Sequence, residues 1–487
     1  MNNIKLYKWA ENPWIGLGAL FFLNLFVKGY FLQSQSLASD EAFTIYHAQL
    51  PVKELVGRIS TGNNPPLFEL FLHYWIHLFG NSEWVVRLPS LIFSAFTPVV
   101  VFFIGRRFFD HSTGLLASLL ITFATYHISF AHEARVYSLF GLLTACAYYL
   151  FLLVIHAKQI VVFHYILLAA IHIALIYAHY FGFFVLMLQG VFILWKPSVR
   201  KKIGYNMLWV FVGVFIAYIP NIWVLLFRFI DSTHNGTWIK PVNSLDSFYY
   251  MLVEFANAPF VAVLVLLIFA LRLVVKKPSN PPNENFVFNQ RFIALVVWLP
   301  FVFLFVVSIW IPVFKDRYLM FVSVPFYLFL AIQIQYLSRF YWVHKFAYIG
   351  ILVAFIATAK WDYFNFSDST KLMNTVNELR GKDTDNSQTI AFCPQHFFYV
   401  FTYYYDKKIF NESDTLILFE KLAQKNIFPI RKIEDLDFKS FDTLIYLDLG
   451  ADFSHPGNNI LPFLNQHTHS ISSDSFNKVN KLFKFHK

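Results

Sequence analysis

Charge is scarce in this sequence. Asp, Glu, Lys and Arg make up 14% of its 487 residues, where a soluble domain carries roughly 25%. That deficit excludes an ordinary water-soluble globule. Cysteine is nearly absent: Cys146 and Cys393 are the only two, too few for a disulfide framework, and both are expected to be free thiols. A cleavable leader is not evident. The residues before Asn12 are mildly basic, and the apolar run after them reads as a retained anchor. What is abundant is apolar surface, 57% of residues including 60 Phe, with a mean hydropathy of +0.51. Runs of about 20 apolar residues recur through the first three quarters, each long enough for a hydrocarbon core of roughly 30 Å. The sequence is that of a polytopic α-helical membrane protein.

About 11 transmembrane helices are expected, near residues 14–34, 86–105, 113–130, 137–156, 161–179, 181–195, 206–230, 259–275, 291–311, 318–337 and 345–361. The net charge of +10 does not imply nucleic acid, because the basic residues concentrate in alternate short linkers, the cytoplasmic pattern. Lys5 and Lys8, Arg106 and Arg107, Lys158, Lys196 to Lys202, Arg272 to Arg291, and Arg339 with Lys345 form that set. The other linkers hold Asp40, the turn from His132 to Tyr137, His179-Tyr180, residues 231–259 and the turn from Phe314 to Tyr318. The N-terminus is then cytoplasmic, and an odd span count puts the C-terminal part on the extracytoplasmic side with Asp40.

Two domains are expected, residues 1–360 in the membrane and 361–487 outside it. The first extracytoplasmic loop, 35–87, contains two helix-like stretches, beginning at Pro51 and after Pro66. Both are too polar to span and suit the outer membrane surface as juxtamembrane helices. The Pro/Asn-rich segment Lys276 to Gln290 reads as a flexible linker. Beyond Trp361 the apolar runs shorten to strand length at 388–392 and 443–447, alternating with helix-like stretches at 369–380 and 414–424. This is the pattern of a small soluble α/β domain, without a Gly-rich phosphate loop. His467-Thr468-His469 is a weak metal signal. Asn235-Gly236-Thr237, Asn365-Phe366-Ser367 and Asn411-Glu412-Ser413 match a glycosylation pattern that arises often by chance.

Four extracytoplasmic features carry chemistry. Asp40-Glu41 is an adjacent carboxylate pair just outside the first span. Such a pair is commonly a solvated cap, but it can also serve as a general base on a hydroxyl. Asn64-Pro65-Pro66 is a rigid turn before a surface helix. His132-Glu133-Ala134-Arg135-Val136-Tyr137 and Lys315-Asp316-Arg317-Tyr318 each present an Arg and a Tyr. A single Arg at a membrane boundary is usually a snorkelling anchor, whereas two on one side, with their planar forks, suit a lipid phosphate.

In this order, Asp-Glu-Ala, then Asn-Pro-Pro-Leu-Phe, then Glu-Ala-Arg-Val-Tyr, then Arg-Tyr-Leu, the sequence resembles the polyprenyl-phosphate-dependent glycosyltransferases of the GT-C fold. The bacterial relatives of the dolichyl-phosphate-mannose protein mannosyltransferases and of the lipid A aminoarabinose transferases (glycosyltransferase family 39/83-like) are the groups it is similar to, over roughly residues 10–360. The resemblance implies an inverting transfer of a sugar from a polyprenyl-phosphate donor to a hydroxyl of a protein, glycolipid or polysaccharide, at the outer face of a bacterial inner membrane. It implies Asp40 as general base, Glu41 orienting Asp40 or holding a sugar hydroxyl, Arg135 and Arg317 on the departing phosphate, and Tyr137 and Tyr318 on phosphate or sugar. Relatives often carry His or Lys before the Pro-Pro pair. Here Asn64 stands there, so that Asn64 donates neutrally or a cation such as Arg58 substitutes; His132, beside Glu133, and His179 lie on the same face. No metal or other cofactor is expected, because hard divalent ions want several oxygens and no second acidic cluster is near Asp40 in sequence. The alternatives are a transporter or flippase of a lipid-linked sugar and a non-catalytic receptor or scaffold. The spans are poor in the midplane acids that transporters use. Lys28, the exception, is expected to snorkel outward, and a scaffold has no need of eleven spans.

Overall fold

The computed structural model describes residues 13–60, 65–234, 241–242, 244–274, 284–361, 374–378, 388–436, 441–455, 457–475 and 480–487. Asn64, Lys5, Lys8, the patterns at Asn235 and Asn365, and most of the 276–290 linker and of the 369–380 stretch fall outside them. The chain divides into two compact units. One comprises Met1–Leu32, Val56–Phe68 and Arg87–Tyr363; the other comprises Gln33–Leu55, Glu69–Val86 and Phe364–Lys487.

The first unit is helical. Among the described residues six helices are long and apolar enough to cross a membrane: Glu83–Phe108, Tyr137–His156, Pro197–Asp231, Glu284–Val307, Asp316–Arg339 and Tyr341–Thr358. Two further pairs qualify if each bent pair is one span, His111–Phe123 with Thr125–Ala131 (59°) and Asp246–Ala256 with Pro259–Val274 (97°). Gly16–Gly29, Val162–Ala178 and Gly182–Trp195 are apolar but shorter. The first bend is held by a residue distant in sequence. Breaking a helix after Phe123 strands backbone groups that hydrocarbon cannot satisfy. Asn257, itself at a positive φ of 69°, supplies the partners. Its Oδ1 accepts from the Thr125 N–H at 2.7 Å and its Nδ2 donates to the Phe123 carbonyl at 2.8 Å and the Phe355 carbonyl at 3.1 Å.

Lys28 corrects one expectation. It does not snorkel but is fully buried, because its ammonium has found acceptors inside: Nζ donates to the Ser94 carbonyl at 2.9 Å and the Ser94 hydroxyl at 3.0 Å. The Ser94 hydroxyl in turn donates to the His127 carbonyl at 3.2 Å.

The second unit is built on a five-stranded sheet of order β2-β1-β3-β5-β4, with β1 Gln388–Cys393, β2 Ile427–Pro429, β3 Thr443–Leu449, β4 His469–Ser475 and β5 Asn480–His486. β1 pairs in parallel with β2 and β3, while β5 runs antiparallel to β3 and to β4. The two expected strands are the central pair, whose residues after the first are buried throughout. The expected helix at 414–424 is Thr415–Ala423, started by Asp414, whose Oδ1 accepts from the Leu416 N–H at 2.8 Å. The two cysteines are free thiols, Cys393 buried.

Gly105 and Gly114 let the Glu83–Phe108 and His111–Phe123 helices touch backbone to backbone. A Cβ on Gly105 would lie 2.2 Å from the Gly114 Cα, and one on Gly114 would lie 2.6 Å from the Phe102 carbonyl oxygen. Gly114→Ala is therefore expected to destabilise the detergent-solubilised protein by about 1–3 kcal/mol. Gly16→Ala, with nothing within 4 Å, serves as the control. Equal thermal midpoints for the two variants would refute the contact.

Candidate functional site

The residues singled out in the sequence fall into two groups, one in each unit. In the first unit, three turns converge. The turn after the Thr125–Ala131 helix carries His132, Glu133 and Arg135; Tyr137 opens the Tyr137–His156 helix; and the 3-10 turn Asp316–Leu319 carries Arg317 and Tyr318. The third turn, at His179, caps the Val162–Ala178 helix. Arg317 Cζ stands 5.6 Å from the centre of the Tyr137 ring. Tyr318 stacks on Phe181 at 5.1 Å and 17°. The buried His179 ring stacks on Phe140 at 4.7 Å and lies 6.1 Å from Tyr137 and 5.8 Å from Tyr318. The charges of both Arg135 and Arg317 act on that imidazole. Arg317 thus stands at an aromatic box whose imidazole also lies within the field of Arg135.

The backbone of this box is braced from neighbouring helices. Arg135 is buried, and its carbonyl accepts from the Ser90 hydroxyl at 3.2 Å. His132 Nε2 donates to the Lys28 carbonyl at 2.6 Å, so that nitrogen carries the proton. Glu133 is half-buried, and its carbonyl accepts from the Arg135 N–H at 2.7 Å. Tyr126 donates to the Asp316 carbonyl at 2.5 Å. Arg58 occupies the last turn of Val52–Ile59, half-buried.

In the second unit, Asp40 and Glu41 lie in the first turn of Ser39–Ala48. The two carboxylates part company. Glu41 is buried and reaches back to accept from the Ala38 N–H at 2.9 Å, one half of a capping box. Asp40 is exposed. An aromatic helix of the C-terminal segment, Phe398–Tyr405, fixes this turn. The Tyr404 hydroxyl accepts from the Leu37 N–H at 2.6 Å. Tyr399 packs on Phe43 at 5.2 Å and on Tyr46 at 5.1 Å, and Tyr46 donates to the Glu412 carbonyl at 2.8 Å. Tyr403 donates to the Asn81 carbonyl at 2.8 Å, so one short helix grips two distant pieces of the first loop. His396, just ahead of it, lies within the field of Asp40. Partial burial holds its imidazole below the ordinary pKa, Asp40 pulls the other way, and His455 adds to the lowering. His396 and Tyr404 escaped the sequence reading. Nothing in a lone His or in a Tyr-rich run signals a partner more than 350 residues away.

Among the described residues no three His, Cys, Asp or Glu side chains come together as a metal group, and His467-Thr468-His469 builds none.

The sequence matches the model of the dolichyl-phosphate-mannose-protein mannosyltransferase family over residues 63–224. The structure is similar to ArnT from Cupriavidus metallidurans in the apo state, with a TM-score of 0.60 and 13% identity over 96% of this chain and 98% of that one. Against the same protein bound to undecaprenyl phosphate the TM-score is 0.56 at 12% identity, with the same coverage. The oligosaccharyltransferase AglB from Archaeoglobus fulgidus, in complex with an inhibitory peptide and a dolichol-phosphate, gives 0.53 at 9% identity over 96% of this chain and 74% of that one. Among curated proteins none matches the sequence. At such identities the likeness establishes the fold: this chain has the GT-C architecture of a membrane-embedded helical part with a small C-terminal sheet.

Tyr404→Phe removes the acceptor of the Leu37 N–H and leaves the ring. An unsatisfied amide there costs about 1–3 kcal/mol, so hydrogen exchange at Leu37 is expected to quicken by about tenfold or more while exchange across β1 and β3 stays unchanged. Unaltered exchange at Leu37 would show that the Tyr404 contact does not hold the Asp40 turn.

Proposed function

We propose that this chain is an inverting glycosyltransferase that moves a sugar from a polyprenyl-phosphate donor to an acceptor hydroxyl at the extracytoplasmic face of a bacterial inner membrane. The observation that carries the reading is a GT-C fold over the whole chain, shared with a transferase solved with undecaprenyl phosphate. The contact of Arg317 with the Tyr137 ring, and a His179 imidazole that lies within the field of both Arg135 and Arg317, support it.

In this reaction Asp40 takes the proton of the acceptor hydroxyl as its oxygen attacks the anomeric carbon. The bond from that carbon to the phosphate oxygen breaks with its electron pair, and the polyprenyl phosphate leaves as an anion. Attack opposite the leaving group inverts the configuration. Arg135 and Arg317 hold the phosphate and gain interaction as its charge grows, the kind of differential stabilisation that lowers a barrier. Tyr137 and Tyr318 flank them and hydrogen-bond the phosphate or the sugar. Glu41, tied to the Ala38 N–H, orients the turn that presents Asp40. A monophosphate is already a competent leaving group, so no strong acid and no divalent ion is part of the mechanism. Asn64 and Arg58 are the remaining donors assigned to the lipid phosphate, with His132 and Glu133 shaping the turn that holds Arg135.

The test is sugar transfer, and donor hydrolysis, in proteoliposomes supplied with a panel of polyprenyl-phosphate sugars. Asp40→Asn is expected to lower turnover by about 10²–10⁴-fold at equal folded yield. Turnover by Asp40→Asn equal to wild type would remove Asp40 as the base. EDTA is expected to leave the wild-type rate unchanged, and a rate lost to EDTA and restored by magnesium or manganese would overturn the metal-free mechanism. Arg317→Gln is expected to cost about 10²–10³-fold in kcat, with the aromatic box still assembled.

A further inference from the structure

The Tyr137–His156 helix has a second polar end. Its 20 residues rise about 30 Å, so His156 lies a full membrane thickness along the helix from the Arg135–Tyr137 turn. There the structure has a cavity of ≈ 390 Å³ lined by Arg107, His156, Lys158, Gln159 and His164 with apolar neighbours, and by no carboxylate. Arg107 and Lys158 are exposed at its rim, and neither forms a salt bridge among the described residues.

A plain explanation of these cations is that they cap the carbonyls at the helix C-terminus. Two of those carbonyls have other partners. Lys202 Nζ donates to the Ile155 carbonyl at 2.7 Å, and the Ala157 N–H donates to the Leu153 carbonyl at 2.9 Å. The orientation of His156 is also settled from behind. Asn289 Nδ2 donates to the Phe108 carbonyl at 3.0 Å, which turns its Oδ1 toward His156 Nε2 at 2.6 Å, so Nε2 is the protonated nitrogen. His156 is thus held in place, and neither Arg107 nor Lys158 is the partner of these two carbonyls.

The residues that follow decide what it is. Ile160, Val162 and Phe163 are 64%, 64% and 65% exposed. They lead directly from the cationic cavity into the apolar face of Val162–Ala178, where Ile166 is exposed as well. Cations beside a bare apolar ridge suit an anionic head carried on hydrocarbon, and basic pockets between membrane helices are fitted for such headgroups.

We propose that the cavity bounded by Arg107, His156, Lys158 and His164 seats the phosphate-bearing headgroup of an anionic phospholipid, whose acyl chains lie along Ile160, Val162 and Phe163. Arg107 and Lys158 supply the charge, Gln159 a neutral hydrogen bond, and the neighbouring apolar side chains the shelf for the first methylenes. The inference does not depend on the transferase reading.

The test uses the full chain in detergent, with binding of phosphatidylglycerol and phosphatidylcholine of matched chains followed by native mass spectrometry. Wild type is expected to retain phosphatidylglycerol over phosphatidylcholine. The double variant Arg107→Gln, Lys158→Gln is expected to lose about 30-fold of that preference, at roughly one kcal/mol for each charge. Both positions are exposed, so its thermal midpoint should match wild type, and Arg107→Lys with Lys158→Arg should retain the preference. Equal binding of the two lipids, or an undiminished preference in the neutral variant, would overturn the proposal. Competition by millimolar inorganic phosphate alone would make this a free-anion site, and displacement only by polyprenyl phosphate would make it a donor site; either result would overturn it too.

Discussion

A primary amine shut away from water must be given its partners by the protein, and in the first unit that requirement organises much of the rest. Lys28 lies fully buried with its ammonium on the carbonyl and hydroxyl of Ser94. Its own carbonyl receives the His132 imidazole, and Ser94 passes the chain of bonds to the His127 carbonyl. His127 continues it to Ser323 at 3.1 Å. The segment leading into Arg135 is thereby tied to the first apolar helix through His132 and to the Met320–Tyr336 helix through His127. In a medium without water each of these groups is costly to leave unpaired, so the network holds the chain that leads into Arg135.

Hydrophobic run length, long in the first three quarters and strand-like after Trp361, is enough to read a polytopic helical protein with a small α/β part, because that signal is local in sequence. The resemblance in the Asp-Glu-Ala, Asn-Pro-Pro and Arg-Tyr motifs pointed to the GT-C fold that the structure displays. The features that were not legible depend on partners far away. Lys28 reads as an outward-reaching anchor unless Ser94 is known to face it. The break at Ala124 reads as a continuous run, since Asn257 lies 132 residues on from Thr125. The approach of Gly105 to Gly114 is hidden in two ordinary-looking apolar segments. β5 was missed because its Asn-Lys-Leu-Phe-Lys-Phe-His stretch is short and charged, and only its pairing with β3 and β4 makes it a strand.

For the candidate residues the sequence offered types and order, and the structure supplied differences between neighbours. Asp40 and Glu41 look equivalent as letters. In the folded chain one is a buried cap and the other faces solvent, because an acid at the third helical position can reach back to an N–H that the helix leaves unpaired. Arg135 and Arg317 are 182 positions apart in sequence, yet both act on the same imidazole. His132, which in sequence looks as available as His179, is occupied with a backbone carbonyl. Chemistry-bearing letters are visible in a linear chain; which of them have been claimed by architecture is not.

The grip of the Phe398–Tyr405 helix on the Asp40 turn has a consequence for how the molecule is made. Leu37 and Tyr404 are 367 residues apart. At a synthesis rate of about 5–20 residues per second, the Asp40 turn leaves the ribosome roughly 20–70 seconds before its hydroxyl partner exists. During that interval the aromatic residues Phe43 and Tyr46 lack the Tyr399 ring that will pack on them. Chain length thus imposes a waiting time on the first loop, and the last quarter of the protein ends that wait.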